Sequence, residues 1–187
     1  MPEKDENLAN RLERFRSYLH LMARLQMTPQ FRGKLDASDV VQQTMARAVE
    51  ALGQFRGVSE AEMAGWLRQI LSRQLTNAAR DFRRDKRDVA RERSLEAAVN
   101  ESSARLESWL AGKQSSPSQR VQRNEDLLHL AEALDGLPEA QREALTLHHL
   151  QGWTLEQVSS HLGRSEAAVA GLIKRGLRAL RRQMQGP

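Results

Sequence analysis

LPEAQREALTLHHLQGWTLEQVSSHLGRSEAAVAGLIKRGLRALRRQ, Leu137–Gln183, decides the fold of this chain. Pro138 stands where the first residue of a helix is welcome, because its missing N–H costs nothing there. Leu145, Leu147 and Leu150 continue an apolar face until Gly152. Thr154 and Gln157 have the spacing of a capping box, which opens a second helix with Leu155, Val158 and Leu162 inside. Gly163 supplies a left-handed stop. Ser165 then caps a third helix, whose inner face is Val169, Leu172, Ile173, Leu177 and Leu180. Two helices joined by a tight turn and ending in a cationic run make a helix-turn-helix.

In such a unit the second helix of the pair lies in a major groove, and its first residues approach base edges. Arg164, Ser165, Glu166, Ala167, Ala168 and Gly171 hold that leading surface. The small side chains let the backbone come close, and Glu166 is placed to accept from a cytosine amino group. Lys174, Arg175 and Arg178 follow at spacings that suit flanking phosphates. A plain helical hairpin, or a helix-turn-helix used for protein contact, shares the pattern. The basic end of the helix favours DNA.

Upstream, Leu127, Leu130, Ala131 and Leu134 make one more helix, stopped by Gly136. The C-terminal domain is therefore expected over 124–185. Residues 88–123 are rich in Ser and Glu, and Gly112 to Gln119 is a run of small and polar residues. That stretch is expected to be a flexible linker carrying one or two short helices, with Trp109 packed on a neighbour. Before it, Leu8, Leu12, Phe15, Leu19, Met22 and Leu25 have helical spacing. A second helix begins at Asp36 or Ser38, with Val41, Met45, Ala48, Val49 and Leu52 as its buried stripe. Residues 56–61 read as a loop. A third helix runs from about Glu62 with Met63, Trp66, Leu67, Ile70 and Leu71 inward. The fold class expected is all-α: two small helical domains, 8–87 and 124–185, joined by a linker.

Composition narrows the function. The chain has 187 residues, a formal net charge of +5 and no cysteine, which excludes disulfides and thiolate metal sites. The excess charge is gathered in two places, Arg80–Arg87 and Lys174–Arg182, as two contacts with a polyanion would require. Solvated helix faces would look similar if only one cluster were present. The start of the chain lacks the apolar segment of a secretory signal, and no run of about 20 apolar residues occurs. A cytoplasmic protein is expected, with no membrane partner. An enzyme is not expected. His148 and His149 are adjacent and so point to different faces, a poor metal pair. There is no phosphate-binding Gly-rich loop and no clustered carboxylate pair. No cofactor and no metal site are expected.

Two stretches carry a resemblance. Asp36-Ala37-Ser38-Asp39-Val40-Val41-Gln42-Gln43-Thr44, with Ala48, Leu52 and Phe55-Arg56-Gly57, resembles the second conserved region of bacterial sigma-70 family factors. More narrowly, it resembles the extracytoplasmic-function (ECF) group. Trp66-Leu67-Arg68-Gln69-Ile70 and the basic helix after it are similar to the family's promoter-melting segment. The stretch from Leu137 to Arg181 is similar to its fourth region. Only the N-terminal tail and the long linker lie outside the resemblance.

The resemblance implies a factor that binds core RNA polymerase and directs transcription from chosen promoters. The helix Asp36–Leu52 would dock on the clamp of the largest polymerase subunit through Asp36, Asp39, Gln42, Gln43 and Arg47. The loop 55–62 and the helix after it would meet the −10 region through Arg68, Arg73, Asn77, Arg80, Arg83 and Arg84. Opening a duplex needs a pocket for unstacked bases and a cationic groove for the displaced strand. Here the chain departs from the family. Asn77 stands where many members carry Asp, and Arg73 where many carry Asn, which leaves the recognised base open. Trp66 falls on the apolar face and is expected to pack in the core. The C-terminal unit would bind the −35 box, with its first helices on the flap of the second-largest subunit. An anti-sigma protein is a further partner that the resemblance admits. The alternative is a stand-alone helix-turn-helix regulator, which would bind its site unaided.

Overall fold

The computed structural model describes residues 10–27, 36–81, 89–111 and 120–185. Regular structure in them is helical throughout. The chain divides into two compact units, Met1–Ser103 and Ala104–Pro187.

In the first unit α1 (Arg16–Gln26), α2 (Ala37–Ala51) and α3 (Glu60–Asp81) pack around one core. Phe15, Tyr18, Leu19 and Met22 meet Val40, Val41, Ala48, Met63, Leu67 and Leu71 there, all buried. Each large side chain removed from water contributes roughly 1.5–3 kcal/mol before entropy is counted. The spacing over 8–26 predicts one helix, but the chain turns at Arg14 and Phe15, after a helical stretch at 10–13. The Phe15 amide bonds the Leu12 carbonyl at 3.0 Å. That tight turn brings Leu12 and Phe15 into the core together, each 1% exposed. Leu8 lies outside the described residues.

Asp36 starts α2, its carboxylate accepting from the Ser38 amide at 2.8 Å. The buried stripe is Ala37, Val40, Val41, Thr44, Met45 and Ala48. Thr44 joins it because its hydroxyl is satisfied by the Val40 carbonyl at 2.8 Å. Two expected members of the stripe do not hold. Val49 is 56% exposed, because it falls one residue past the last position that faces the core. Leu52 is half-buried, since the chain tightens into a 3₁₀ turn at Leu52–Gln54.

Among the described residues, the stretch expected to be a linker, 88–123, holds the start of the next helix at Arg120 and, ahead of it, the helix α4 (Val89–Ala111). Its Ala, Leu, Glu and Arg content suits a helix. The apolar spacing Leu95, Val99, Leu106, Leu110 lacks a member at Ser103, which makes the run look interrupted. Ser103 is nonetheless buried, with a hydrogen bond from Tyr18 at 2.9 Å. Residues 112–119 lie outside the described residues.

The second unit holds the end of α4 with α5 (Arg120–Asp135), α6 (Glu139–Leu145), α7 (Leu155–Leu162) and α8 (Glu166–Met184). Leu127, Leu130, Ala131, Leu134, Leu145, Leu147, Leu150, Val158, Val169, Leu172, Ile173 and Leu180 are buried, as their spacing predicts. Pro138 is the residue before α6 rather than its first, with an extended ψ of 137°. Beyond α6 the chain widens into a π turn, Thr146–Leu150. Its marker is the Gln151 amide, which reaches back five residues to the Thr146 carbonyl at 3.0 Å. α6 crosses α8 at Gly176, where an added Cβ would come within 2.6 Å of Leu145 Cδ1.

Candidate nucleic-acid interface

The helix-turn-helix is built as its sequence requires. Thr154 Oγ1 accepts from the Gln157 amide at 3.2 Å, and Gln157 Oε1 accepts from the Thr154 amide at 2.9 Å. This reciprocal cap fixes the start of α7. Gly163 ends it in the left-handed region, φ 62° and ψ 36°, a conformation that costs a residue with a Cβ. The Arg164 amide closes the turn on the Ser159 carbonyl at 3.0 Å. Ser165 then caps α8, its hydroxyl accepting from the Ala168 amide at 3.3 Å.

In the first turns of α8, Val169 points inward, while Arg164, Ser165, Glu166, Ala167, Ala168 and Ala170 are exposed. Lys174, Arg175 and Arg178 are exposed further along, and Arg181 and Arg182 extend the cationic run. Gly171 is half-buried, and the Arg175 guanidinium lies over it, 3.2 Å from where a Cβ would stand. The expected leading surface is therefore continuous, and Arg175 covers part of it in the free chain.

The first unit offers two surfaces. Along α2, Asp39, Gln42, Gln43, Ala46, Arg47, Val49 and Glu50 are all exposed. Arg47 pairs with Glu50 at 2.7 Å, an exposed pair that contributes little to stability. Asp36 is exposed too, with its carboxylate engaged as the helix cap.

The second surface is the loop before α3 and the helix itself. Phe55 leans on Trp66, with ring centroids 5.1 Å apart, so Trp66 packs as expected and is half-buried. The loop is pinned at both ends. Arg56 Nη1 donates to the Gly53 carbonyl at 3.0 Å. The Glu62 carboxylate accepts from the Val58 amide, the Ser59 amide and the Ser59 hydroxyl at 2.9, 2.9 and 2.8 Å. The Glu62 amide in turn reaches the Ser59 hydroxyl at 3.2 Å. Ser59 and Glu62 are thus a capping box, so α3 begins at Glu60 and part of the expected loop is a helix start. The arrangement holds Val58, 87% exposed, in a fixed loop. Val58 does not stand out in the sequence; the Ser59-x-x-Glu62 spacing is the signal that could have found it.

Along α3, Arg73 and Asn77 are exposed and Arg80 is half-buried, while Arg83 and Arg84 lie outside the described residues. Arg68 is placed differently from the others. Its Nε donates to Asn100 Oδ1 at 2.8 Å, and its Nη1 donates to the Tyr18 hydroxyl at 2.9 Å and to Ser103 Oγ at 3.3 Å. It ties α3 to α1 and to the first part of α4. Gln26 strengthens the seam by donating to Ser102 Oγ at 2.9 Å. Nine residues separate Arg68 from Asn77, which puts them on opposite sides of the helix.

Hydrogen bonds from the Ser59 amide, above all, with the Ser59 hydroxyl and the Val58 amide, hold the Glu62 carboxyl below its ordinary value. A carboxylate stabilised in this way keeps the loop ordered above its ordinary pKa, and the contribution is lost as pH falls through the lower folded value. The amide proton shifts of Val58 and Ser59 should therefore titrate together, below the ordinary carboxylate range. In Glu62→Gln they should not titrate at all. A midpoint at or above the ordinary value would show that the carboxylate does not hold the loop.

The π turn carries two adjacent histidines, His148 and His149. His148 Nδ1 lies 2.7 Å from the Trp153 carbonyl, and His149 stacks on Trp109 at 5.0 Å and 9°. Burial, with His148 beside it, pushes the His149 imidazole below its ordinary value. Among the described residues no cluster of three His, Cys, Asp or Glu could hold a metal ion. Among them, too, no helix is long and apolar enough to cross a membrane.

Residues 127–180 match the family model for sigma-70, region 4. That span runs from α5 through α8 and contains the helix-turn-helix. RNA polymerase sigma factor CarQ of Myxococcus xanthus is 30% identical over 145 residues, covering 78% of this chain and 72% of the relative. This chain belongs to the sigma-70 family of RNA polymerase sigma factors. It is of the ECF type, as its two motif-bearing stretches led one to expect. A probable RNA polymerase sigma factor, RfaY of Xanthomonas campestris pv. campestris, is 32% identical over 149 residues, or 79% of this chain. The alignment with this sigma factor spans 34% of the length of that relative.

Proposed function

We propose that this sigma factor binds core RNA polymerase and directs it to promoters carrying two sequence elements. The outer face of α2, with Asp39, Gln42, Gln43 and Arg47, docks on the clamp of the largest subunit. Asp36 acts there by starting the helix. The loop around Val58 and the exposed side chains Arg73 and Asn77 meet the −10 element as it opens, with Arg80, Arg83 and Arg84 supplying positive charge for the displaced strand. Arg68 holds the helices in place rather than touching DNA. The second unit reads the −35 element, and its first helices, α5 and α6, rest on the flap of the second-largest subunit.

The observation that carries the reading is the surface of α8. Small and polar side chains occupy its first turns and exposed cations its later ones, on the partner helix of a helix-turn-helix. A helix of that design reads bases at its start and phosphates along its length. The two roles separate on substitution. Lys174→Ala and Arg175→Ala should weaken promoter binding across sequences and flatten its dependence on salt, by about one unit of slope for each phosphate no longer neutralised. Glu166→Ala should leave the slope alone and change which base is preferred. Binding measured with core polymerase at several salt concentrations tests this, and identical behaviour of the three variants would overturn the docking of α8. A stand-alone regulator would instead bind a specific duplex tightly without core.

A further inference from the structure

Two carboxylates stand in the first turn of α3, and only one of them has a place in the account so far. Glu62 accepts from the Val58 and Ser59 amides and so holds the loop. Glu60 reaches instead to the N-terminal stretch of the chain. Arg11 Nε donates to Glu60 Oε1 at 3.2 Å, and Arg14 Nη1 lies 3.9 Å from the same oxygen. The other oxygen, Oε2, is buried with no hydrogen-bond partner among the described residues. The stretch that carries these arginines is itself anchored. Leu12 and Phe15 are each 1% exposed, and the Phe15 amide bonds the Leu12 carbonyl. A fixed turn therefore presents Arg11 to the first residue of α3. The Arg11 and Glu60 side chains are 28% and 21% exposed, so their attraction is screened less than that of a surface pair. A half-buried carboxylate that loses its cation has to turn toward water. Glu60 follows Ser59 directly, and Ser59 is the cap of α3, its carbonyl accepting from the Met63 amide at 3.1 Å. Any movement of Glu60 passes to the loop through one peptide bond.

We propose that Arg11 is a positioning residue for promoter opening: through Glu60 it fixes the first turn of α3, and with it the loop 55–62, without touching DNA. The inference rests on the reading of that loop given above and deepens it. The two carboxylates divide the work. Glu62 ties the loop to α3, and Glu60 ties the start of α3 to the turn that Leu12 and Phe15 hold in the core. Arg14 is the lesser partner, since it is half-exposed and farther away.

The test uses the full chain, alone and with core polymerase. In Arg11→Gln the Val58 and Ser59 amides should exchange with solvent roughly three- to tenfold faster than in the parent. Open complexes should form roughly three- to tenfold less readily, with core affinity at the parent level. Arg11→Lys keeps a cation beside Glu60 and should restore most of both, and Glu60→Gln should loosen the same two amides. Arg14→Gln should behave like the parent. Parent-level exchange of both amides in Arg11→Gln and Glu60→Gln would overturn the inference and leave the loop reading standing. An equal loss of core affinity and of opening would also overturn it, since Arg11 would then serve the fold of the whole unit. A loosened loop with opening at the parent level would overturn the loop reading, and the inference with it.

Discussion

Gly57→Ala should cut open-complex formation by roughly ten- to a hundredfold while core binding is retained. A Cβ at this position would stand 2.5 Å from Phe55 Cζ, 2.8 Å from Phe55 Cε2 and 2.8 Å from Glu62 Cβ. The ring could swing away only by leaving Trp66. Glu62 Cβ is fixed by the helix it begins, so the loop itself would have to move. Moving it separates the Glu62 carboxylate from the Val58 and Ser59 amides that it holds. The tip of the loop then loses the fixed geometry on which the proposed capture of an unstacked base depends, and the α2 face proposed for polymerase docking is untouched. Gly53→Ala is the matched control, since nothing lies within 4 Å of its added Cβ. Opening is read from the reactivity of unpaired thymines in a promoter bound by the reconstituted holoenzyme. Open complexes at the parent level in Gly57→Ala would show that the loop does not take part in opening.

Gly176→Val should destabilise the second unit by about 2–4 kcal/mol. The glycine is buried where α6 crosses α8, and an added Cβ meets Leu145 Cδ1 at 2.6 Å, Leu145 Cγ at 3.2 Å and Gln141 Cβ at 3.5 Å. Leu145 is itself fully buried and has nowhere to retreat. Alanine at 176 gains back part of the cost, about 1 kcal/mol, because glycine is a poor helix residue. Valine adds two further methyl groups and little of that gain. Gly171 lies on the same helix and makes the opposite case. Its added Cβ meets only the Arg175 guanidinium, at 3.2 Å, and that side chain is free to swing aside. Gly171→Ala should leave stability unchanged or raise it by about 0.4–1 kcal/mol. Denaturant unfolding of the full chain, followed by signals from each unit, separates the two substitutions. Equal stability of Gly176→Val and the parent would mean that α6 and α8 do not cross at this glycine.

The helix-turn-helix was legible in the sequence because each of its devices is local. Thr154 with Gln157, Gly163 and Ser165 act within a few residues of themselves, and the structure places each cap where its spacing put it. The inward residues of α3 and α8 followed from period alone. What escaped depends on partners distant in sequence. Ser103 counts as polar in any pattern, yet it is buried because Tyr18, 85 residues away, supplies a hydrogen bond. The stretch 88–123 reads as a tether for its Ser and Glu content and its Gly112–Gln119 run, and Ser103 is one of those polar residues that the fold buries. Arg68 read as one cation among several on a basic helix, and only its three hydrogen-bond partners set it apart. The π turn has no sequence signature at all, because it comes from one extra residue accommodated between α6 and Gly152. Val49 looked apolar enough to be buried and lay just past the facing positions of its helix.

Run-off transcription with purified core polymerase on a library of randomised duplexes tests the central claim most directly. The account predicts that adding this protein selects templates that start at discrete sites and share two short elements upstream, one read by each unit. Arg73 and Asn77 variants should alter the downstream element, and Glu166 variants the upstream one. An active core that gains no start site from the protein, or a protein that selects duplexes equally well without core, would contradict it.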